Sequence, residues 1–269
     1  MAGERFDPSI DSLRQAFSVQ RRVIWALLMR EILTRYGRHN IGFLWLFVEP
    51  MIFTLGVTAL WTATQSVHGS DLPIVAFAVT GYSTVLQWRN MPSRCILSAT
   101  FNNAVLYHRM IKVIDIYIAR ILLEFIGATM SFVFLAAFFT FIGWMEPPED
   151  VLKVFTGWVM VGLFGASLAV FLASLSERFE IIERLWHPAS YLIFPLSGAA
   201  FLVASLPPEA QNFVLYIPMV HGSELLREGY FGSHINAIYD VGYLALCTMV
   251  MLCIGLAMSR NVRDYVVPE

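Results

Sequence analysis

The chain has 269 residues, of which 57% are hydrophobic and 14% charged, with a formal net charge of -2 at pH 7. So little polar surface excludes a water-soluble globule of this length and indicates an integral membrane protein. The three cysteines, Cys95, Cys247 and Cys253, have no paired or metal-ligand spacing, so the sequence predicts neither a disulfide nor a metal site. No cleaved signal peptide and no nucleic-acid partner are expected.

The first predicted element is an amphipathic helix over residues 9–20, with Ile10 and Phe17 on its apolar face. Such a helix is typical of the lipid headgroup region, although a helix packed on a partner protein has the same pattern. Residues 23–36 are more apolar, but their charges exclude the bilayer centre. We therefore expect residues 1–42 to form cytoplasmic and interfacial N-terminal helices.

Six apolar stretches are predicted to cross the bilayer, which takes about 20 residues of helix. They lie at residues 43–64, 73–88, 113–145, 151–175, 188–206 and 237–258. Pro195 and Gly198 predict a kink in the fifth stretch. Residues 213–220 are too short to cross, so they are expected to form a re-entrant or interfacial piece on the outer side. The sequence thus predicts an all-α membrane protein with a six-span domain over 43–259 and a cytoplasmic tail over 260–269.

The basic residues set the expected orientation. Cytoplasmic segments of membrane proteins carry an excess of Lys and Arg. When the chain start, residues 89–112, residues 176–187 and the tail are placed inside, only Lys153 and Arg227 of the 18 basic residues lie outside. Both termini of this multi-pass protein are therefore predicted to be cytoplasmic.

A nucleotide-hydrolysing P-loop is not predicted. Such a loop needs a glycine-rich turn that ends in Gly-Lys-Ser or Gly-Lys-Thr, so that backbone amides and the lysine hold the phosphates. The lysines Lys112 and Lys153 lack that context. We therefore expect this chain to have no nucleotide-binding site of its own. The sequence analysis also predicts no enzyme activity, no catalytic residue and no directly bound cofactor.

Three stretches resemble the signature stretches of ABC-2 type permeases, specifically those that export capsular polysaccharide in Gram-negative bacteria. They are REILTRYGRHNIGFLWLFVEP (30–50), LYHRMIKVIDIYIARILLE (106–124) and PMVHGSELLRE (218–228). One difference is Val113, because those permeases often have proline before the Ile-Asp pair. The resemblance implies a homodimer in the bacterial inner membrane, bound to a separate cytoplasmic ABC ATPase that holds ATP and Mg. It also implies a periplasmic polysaccharide co-polymerase and an outer-membrane channel protein as partners.

In such relatives the segment between spans two and three forms the coupling helix that docks on the ATPase. Here the matching residues are 93–109, a polar stretch with apolar side chains that is suited to pass on a rigid-body push. An ordinary solvated loop has a similar composition. The residues expected to contact the ATPase are Phe101, Asn102, Asn103, Tyr107, His108 and Arg109.

Glu49 lies roughly 10 Å into the first span at helical rise. An ionised carboxylate there costs a few kcal/mol unless it faces water or a partner. It either lines a substrate conduit or pairs with an arginine such as Arg38, Arg89 or Arg120.

Other residues near the first two spans could also line such a conduit. Aromatic rings pack on sugar faces and arginines bind acidic groups, although both are also common membrane-edge anchors. The candidate conduit residues are Arg38, His39, Trp45, Glu49, Tyr82, Trp88 and Arg89.

His221 and Glu224 lie one helical turn apart, and Arg227 follows. We interpret these three residues as part of a salt-bridged helix that supports an outer gate, with metal binding as the alternative.

With these features, the resemblance implies the transmembrane subunit of an ATP-driven exporter that moves lipid-linked capsular polysaccharide across the inner membrane. One alternative keeps the architecture and changes the cargo to O-antigen or teichoic acid. Another is a membrane-embedded transferase acting on lipid-linked sugars. That enzyme would need a constellation of acid and histidine groups at one membrane face, which the scattered Glu49, His39 and Asp115 do not form.

Overall fold

The computed structural model describes residues 10–36, 40–64, 72–107 and 111–266. Every regular element in these ranges is helical, and no strand occurs in them. The α-helices are α1 (Ile10–Tyr36), α2 (Asn40–Thr64), α3 (Ile74–Cys95), α4 (Ser98–Phe101), α5 (Asn103–Leu106), α6 (Val113–Phe141), α7 (Val151–Ser176), α8 (Ile181–Ile193), α9 (Pro208–Val214), α10 (Pro218–Phe231), α11 (Val241–Ser259) and α12 (Val262–Val266). Short 3-10 helices lie at Phe194–Leu196, Val203–Ser205 and Gly232–His234.

Three of the described helices, α6, α7 and α11, are long and apolar enough to cross a membrane. Helix α2 contains a shorter apolar stretch at Met51–Ala63. Helix α3 has the length to cross, but its second half carries Arg89 and Arg94. The prediction of an all-helical protein with several membrane-crossing helices is therefore confirmed, and the molecule is a multi-pass membrane protein.

Helix α7 lies at the centre of the bundle and packs against α3, α10 and α11, while α6 packs along α3. Helices α3, α7 and α11 all finish, and α6 begins, at the end of the bundle that carries α4 and α5. We call this the α4 end. Helix α10 packs on the first half of α7, and we call that opposite side the α10 end.

Glycines allow α7 and α10 to approach closely. A Cβ atom at Gly157 of α7 would lie 2.6 Å from the backbone nitrogen of Leu226, and one at Gly229 of α10 would lie 2.5 Å from that of Val154. Both distances are shorter than packed atoms tolerate, so larger residues would force the helices apart. The glycines thereby seat α10, which is almost entirely buried, against the apolar face of α7.

Helix α1 is longer than the amphipathic helix predicted over 9–20. It continues to Tyr36 because no glycine or proline interrupts it. Its Leu27 and Leu28 are buried against the start of α6. Gln20 Nε2 donates a hydrogen bond to Asp115 Oδ1 at 3.0 Å, which fastens the two helices together.

The fifth apolar stretch is only partly helical. Helix α8 begins at Ile181, before the predicted start at residue 188, and Pro188 lies inside it. At the predicted kink the helix ends instead of bending. A 3-10 turn that contains Pro195 follows α8, and Gly198 then adopts a φ of +78°. The chain from 197 to 206 then follows an irregular path with one 3-10 turn.

The segment 213–220, predicted to be re-entrant or interfacial, contains the end of α9, the turn that follows it and the start of α10. Pro218 lies in the first turn of α10, where its missing N–H costs no hydrogen bond. The predicted tail over 260–269 contains α12, whose Val262 and Val266 are buried in the core.

Candidate functional site

Residues 96–107 follow α3 at the α4 end and contain α4 and α5, and we call them the α4–α5 segment. The predicted coupling helix over 93–109 begins inside α3, which continues to Cys95. The helix then breaks at Leu97, whose φ of +52° is uncommon for a residue with a side chain. Two single turns, α4 and α5, follow on either side of Asn102. The described part of this segment is therefore two linked turns rather than one helix.

Glu177, the residue after α7, holds the start of α4. Its Oε1 accepts from the Ala99 backbone N–H at 2.7 Å, and its Oε2 accepts from the Thr100 N–H at 3.2 Å and from Thr100 Oγ1 at 2.6 Å. The first N–H groups of a helix have no partner within it, so a carboxylate there supplies missing acceptors. Burial raises the pKa of Glu177, and the hydrogen bonds from Thr100 and Ala99 oppose that rise.

The α4–α5 segment is attached to the bundle at two further points. Ser176 Oγ accepts a hydrogen bond from the Leu97 backbone N–H at 3.0 Å. At the other end, Arg263 of α12 donates to the Leu106 carbonyl at 3.1 Å. Sequence reasoning missed Glu177 and Arg263 because both lie far along the chain from the segment that they hold.

The residues predicted to contact an ATPase differ in their exposure. Phe101 and Tyr107 are 70% and 64% exposed, and Asn103 is also exposed. Asn102 is buried, and its Nδ2 donates to the Ser98 carbonyl at 2.8 Å, so its side chain holds the turn. The other two predicted contacts, His108 and Arg109, lie outside the described residues.

Charged side chains from four helices meet next to this segment at the α4 end. We call them the charge cluster: Glu31 and Arg35 of α1, Glu49 of α2, Arg94 of α3, and Arg120 and Glu124 of α6. Arg35 pairs with Glu124 and lies 3.6 Å from Glu31, and Arg120 Nε lies 3.2 Å from Glu31 Oε1.

Arg94 is held more loosely within the charge cluster. It lies 3.4 Å from Glu49 and 3.6 Å from Glu124, and 41% of its side chain is exposed. Among the described residues, the arginine that pairs with Glu49 is therefore Arg94. Arg89 and Arg120, two of the examples given for such a pair, form no ion pair with Glu49, and Arg38, the third example, lies outside the described residues.

Two of the conduit candidates, Glu49 and Arg89, line one polar groove of about 210 Å³ between α2, α3 and α8. We call this the α2–α8 groove. The Arg89 guanidinium lies over the ring of Tyr191, 4.8 Å from its centroid. Three further side chains of α8 line the groove at helical spacing: His187, Ser190 and Tyr191. This i, i+3, i+4 pattern of polar groups in an apolar stretch is the signal that sequence reasoning missed.

The other conduit candidates lie elsewhere. Trp88 is buried against Trp186, with ring centroids 6.5 Å apart, and Tyr82 is buried against Phe194 at 5.8 Å. Trp45 is exposed on α2. Arg38 and His39 lie outside the described residues.

At the α10 end, Arg227 is completely buried. Its guanidinium donates to the carbonyls of Gly198, Ala199 and Phe201, and lies 3.8 Å from the ring centroid of Phe77. These carbonyls belong to the irregular chain that follows α8. Arg227 therefore joins α10 to the point where the fifth apolar stretch leaves its helix.

Glu224 and His221, the other two outer-gate candidates, also bind backbone groups. Glu224 accepts from the N–H groups of Val203 at 3.2 Å and Ile238 at 3.3 Å. His221 Nδ1 accepts from the Asp240 N–H at 2.9 Å, so its Nε2 is the donor to the carbonyl that lies 2.8 Å away. Both ring nitrogens are thus used by the backbone.

The predicted salt-bridged helix is therefore only partly correct. Glu228 of α10 pairs with Lys153 of α7 at 3.1 Å, whereas the hydrogen bonds of Glu224 and Arg227 go to backbone groups. The described residues contain no group of three or more side chains arranged to hold a metal ion.

Comparison with known proteins identifies the family. Residues 22–231 match the ABC-2 type transporter family. The chain is 43% identical to the capsule polysaccharide export inner-membrane protein CtrC of Neisseria meningitidis serogroup B over 258 residues, 96% of this chain and 97% of that protein. It is 38% identical to BexB of Haemophilus influenzae, which bears the same description, over the same shares.

A more distant relative is the polysialic acid transport protein KpsM of Escherichia coli. It is 26% identical over 252 residues, which cover 92% of this chain and 96% of that protein. The similarity to all three relatives therefore extends over nearly the whole chain. Since the family match also covers most of the chain, this protein belongs to the ABC-2 type transporter family.

Proposed function

We propose that this chain is the transmembrane subunit of an ATP-driven ABC exporter that moves lipid-linked capsular polysaccharide across the bacterial inner membrane. The observation that carries the proposal is the near full-length similarity to CtrC and BexB, which are described as capsule polysaccharide export inner-membrane proteins. The relatives named above handle capsule polysaccharide or polysialic acid, which favours this cargo over O-antigen or teichoic acid.

In the proposed arrangement the chain crosses the membrane six times, through α2, α3, α6, α7, α8 with its irregular continuation, and α11. The α4 end faces the cytoplasm together with both chain termini. The arginines of the charge cluster support this orientation, because basic residues are enriched on the cytoplasmic side. Exposed Phe17 and Trp25 on α1 are suited to lie in the membrane surface.

The α4–α5 segment is the proposed contact surface for the ATPase. Two copies of the chain bind two copies of a cytoplasmic ATPase, which holds ATP and Mg, through the exposed Phe101, Asn103 and Tyr107. Movement of the ATPase reaches α7 through Glu177 and reaches α12 through Arg263, because these residues are bonded directly to the segment. A periplasmic co-polymerase and an outer-membrane channel protein complete the proposed machine.

The α2–α8 groove is the proposed polymer path within each copy. Its Glu49 and Arg89 supply polar groups for sugar hydroxyls, and Tyr191 supplies a ring face. The groove is narrow for a polysaccharide, so the path is completed by the second copy. At the α10 end, the network of His221, Glu224 and Arg227 supports the outer gate by fixing the loops around it.

Reconstitution tests this function. Inverted membrane vesicles that contain the chain and its ATPase should take up lipid-linked capsular polysaccharide when ATP is added. A variant ATPase without its P-loop lysine is the control and should abolish uptake. Uptake by vesicles that contain this chain alone would contradict the proposal, as would equal uptake of an O-antigen precursor.

A further inference from the structure

A cavity of about 440 Å³ lies between helix α1 and the membrane-crossing helix α6. We call it the α1–α6 groove. Six residues of α1 and three of α6 line it, and seven of these nine are apolar. It shares no lining residue with the α2–α8 groove and contains no member of the charge cluster. The α1–α6 groove is therefore a separate feature from the proposed polymer path.

The two ends of the α1–α6 groove differ in chemical character. The hydrogen bond between Gln20 and Asp115 places Arg21 beside the first turn of α6. Leu122 and Ile126 line the other end, about 10 and 16 Å farther along α6 than Asp115 at 1.5 Å per residue. The groove therefore runs from a charged end at the start of α6 to an apolar end within the membrane-crossing part of that helix.

Arg21 supplies the charge at the first end. It is exposed, and none of the ion pairs found among the described residues includes it. Asp115, the acid of the adjoining turn, is buried and accepts hydrogen bonds from Gln20 and from the Lys112 N–H at 2.9 Å. Since no carboxylate lines the groove, an anion is the group that complements this end.

The apolar end belongs to a surface that faces lipid. Leu122 and Ile126 are exposed, and the same face of α6 continues through the exposed Met130 and Val133. Helix α6 is long and apolar enough to cross a membrane, so this face is surrounded by acyl chains in a bilayer. An acyl chain that enters the groove therefore leaves no polar surface uncovered.

Trp25 lies between the two ends of the groove. It follows Arg21 by one helical turn, and 63% of its surface is exposed. Tryptophan is enriched where lipid headgroups meet acyl chains, because its ring is apolar and its N–H donates a hydrogen bond. The groove thus presents a cation, an interfacial ring and an apolar wall in that order. A phospholipid has the matching order of phosphate, ester groups and acyl chain.

We propose that the α1–α6 groove binds an anionic phospholipid of the bilayer, with its phosphate at Arg21 and an acyl chain along Leu122 and Ile126. A zwitterionic lipid carries its own cation next to the phosphate, so Arg21 favours a lipid with net negative charge. The bound lipid fills the space between α1 and α6 and holds α1 at the membrane surface. Its placement in the cytoplasmic leaflet rests on the orientation given under the proposed function, whereas the site itself requires only a membrane.

Quenching of Trp25 by brominated lipids tests the proposal. The full-length protein is reconstituted in phosphatidylcholine vesicles with increasing fractions of phosphatidylglycerol or phosphatidylcholine that carries bromine on its acyl chains. The signal of Trp25 is the difference between the wild type and Trp25→Phe. Brominated phosphatidylglycerol should compete for the site about fivefold better than brominated phosphatidylcholine, the usual effect of one basic residue on an anionic lipid.

Two neighbouring arginines provide the matched variants. Arg21→Gln should abolish the preference for phosphatidylglycerol. Arg22→Gln removes the same charge from an exposed residue outside the groove walls, so the preference should remain. A single size-exclusion peak at the wild-type position shows that each variant is folded. Equal quenching of the wild type by both lipids, or equal preference in the two arginine variants, would overturn the anionic site.

Other occupants of the groove give different results. If neither brominated lipid quenches Trp25, a protein surface such as a second copy of the chain covers it, and the proposal is wrong. Lipid-linked polysaccharide should leave the quenching unchanged, because the site holds a bilayer lipid. Recovery of Trp25 fluorescence on its addition would assign the groove to the exported lipid instead. The measurement needs neither ATP nor transport, so a failed uptake assay with an intact lipid preference would count against the proposed function alone.

Discussion

Arginine side chains are used in opposite ways at the two ends of this molecule. At the α10 end, Arg227 is fully buried and binds three backbone carbonyls. At the α4 end, Arg94 is 41% exposed and lies between two carboxylates at 3.4 Å and 3.6 Å. Carbonyls cannot change partner without rearranging the chain, whereas carboxylates on separate helices can exchange. Arg227 is therefore suited to keep the shape of the α10 end, and Arg94 to exchange partners at the α4 end.

The largest expected effect comes from removing the buried arginine of the α10 end. Arg227→Ala leaves the carbonyls of Gly198, Ala199 and Phe201 without their donor inside the protein. We expect a loss of about 3–5 kcal/mol in the free energy of unfolding, as for other broken buried charge networks. Thermal unfolding of the purified protein measures it.

Lys153→Ala is the matched control for that variant. It removes a partly exposed ion pair with Glu228 at the same end, so its cost should be about 0–1 kcal/mol. Similar melting temperatures for the two variants would show that the α10 end does not depend on the buried arginine.

The second prediction concerns the contact that seats α10 on α7. Gly157→Ala places a Cβ 2.6 Å from the backbone of Leu226 and should cost about 1–3 kcal/mol through overpacking. The same change at Gly56 of α2 meets no atom within 4 Å and should be neutral or slightly stabilising. Melting temperatures of both variants give the comparison, and a stable Gly157 variant would mean that α10 can shift.

The third prediction sharpens the view that the α4 end transmits movement. Glu177→Ala removes the acceptors at the start of α4 and should cost about 0.5–2 kcal/mol. Because it also unties the α4–α5 segment from α7, polymer uptake per ATP hydrolysed should fall more than ATPase binding does. Glu180→Ala, an exposed acid of the same turn, is the control. Full transport by the Glu177 variant would show that movement passes from the α4–α5 segment to the bundle through other contacts.

The smallest expected effect on stability comes from the most exposed contact residues. Phe101→Ala and Tyr107→Ala remove side chains that are largely in solvent, so unfolding free energies should change by less than about 0.5 kcal/mol. If these residues dock the ATPase, its affinity for the permease should nevertheless fall about tenfold in a pull-down titration. Unchanged affinity in both variants would remove the segment from the proposed interface.

The elements that sequence reasoning predicted correctly are those determined by a local pattern. Long apolar runs have one stable form in a bilayer, so the helices at α6, α7 and α11 follow directly from hydropathy. The break near Pro195 and Gly198 was also predictable, because both residues have restricted or unusual backbone preferences.

The contacts between distant segments were not predictable from such patterns. Glu177 binds Ala99, which lies 78 residues earlier, and nothing local to either residue indicates the contact. Trp88 illustrates the same limit. A tryptophan at the end of an apolar run gives the same sequence pattern whether it faces lipid, substrate or the protein core. The structure buries it against Trp186.

The early end of α8 has one mechanical consequence. Arg227 of α10 hydrogen-bonds to the chain that follows Ile193, and glycines let α10 pack closely on α7. If α8 tilts, its hinge therefore lies at the 3-10 turn Phe194–Leu196. The 13 residues of α8 extend about 20 Å from that hinge, at 1.5 Å per residue. His187 lies about 10 Å along the helix from this hinge, so a rotation of about 10° would move it by about 2 Å while α10 and α7 keep their places.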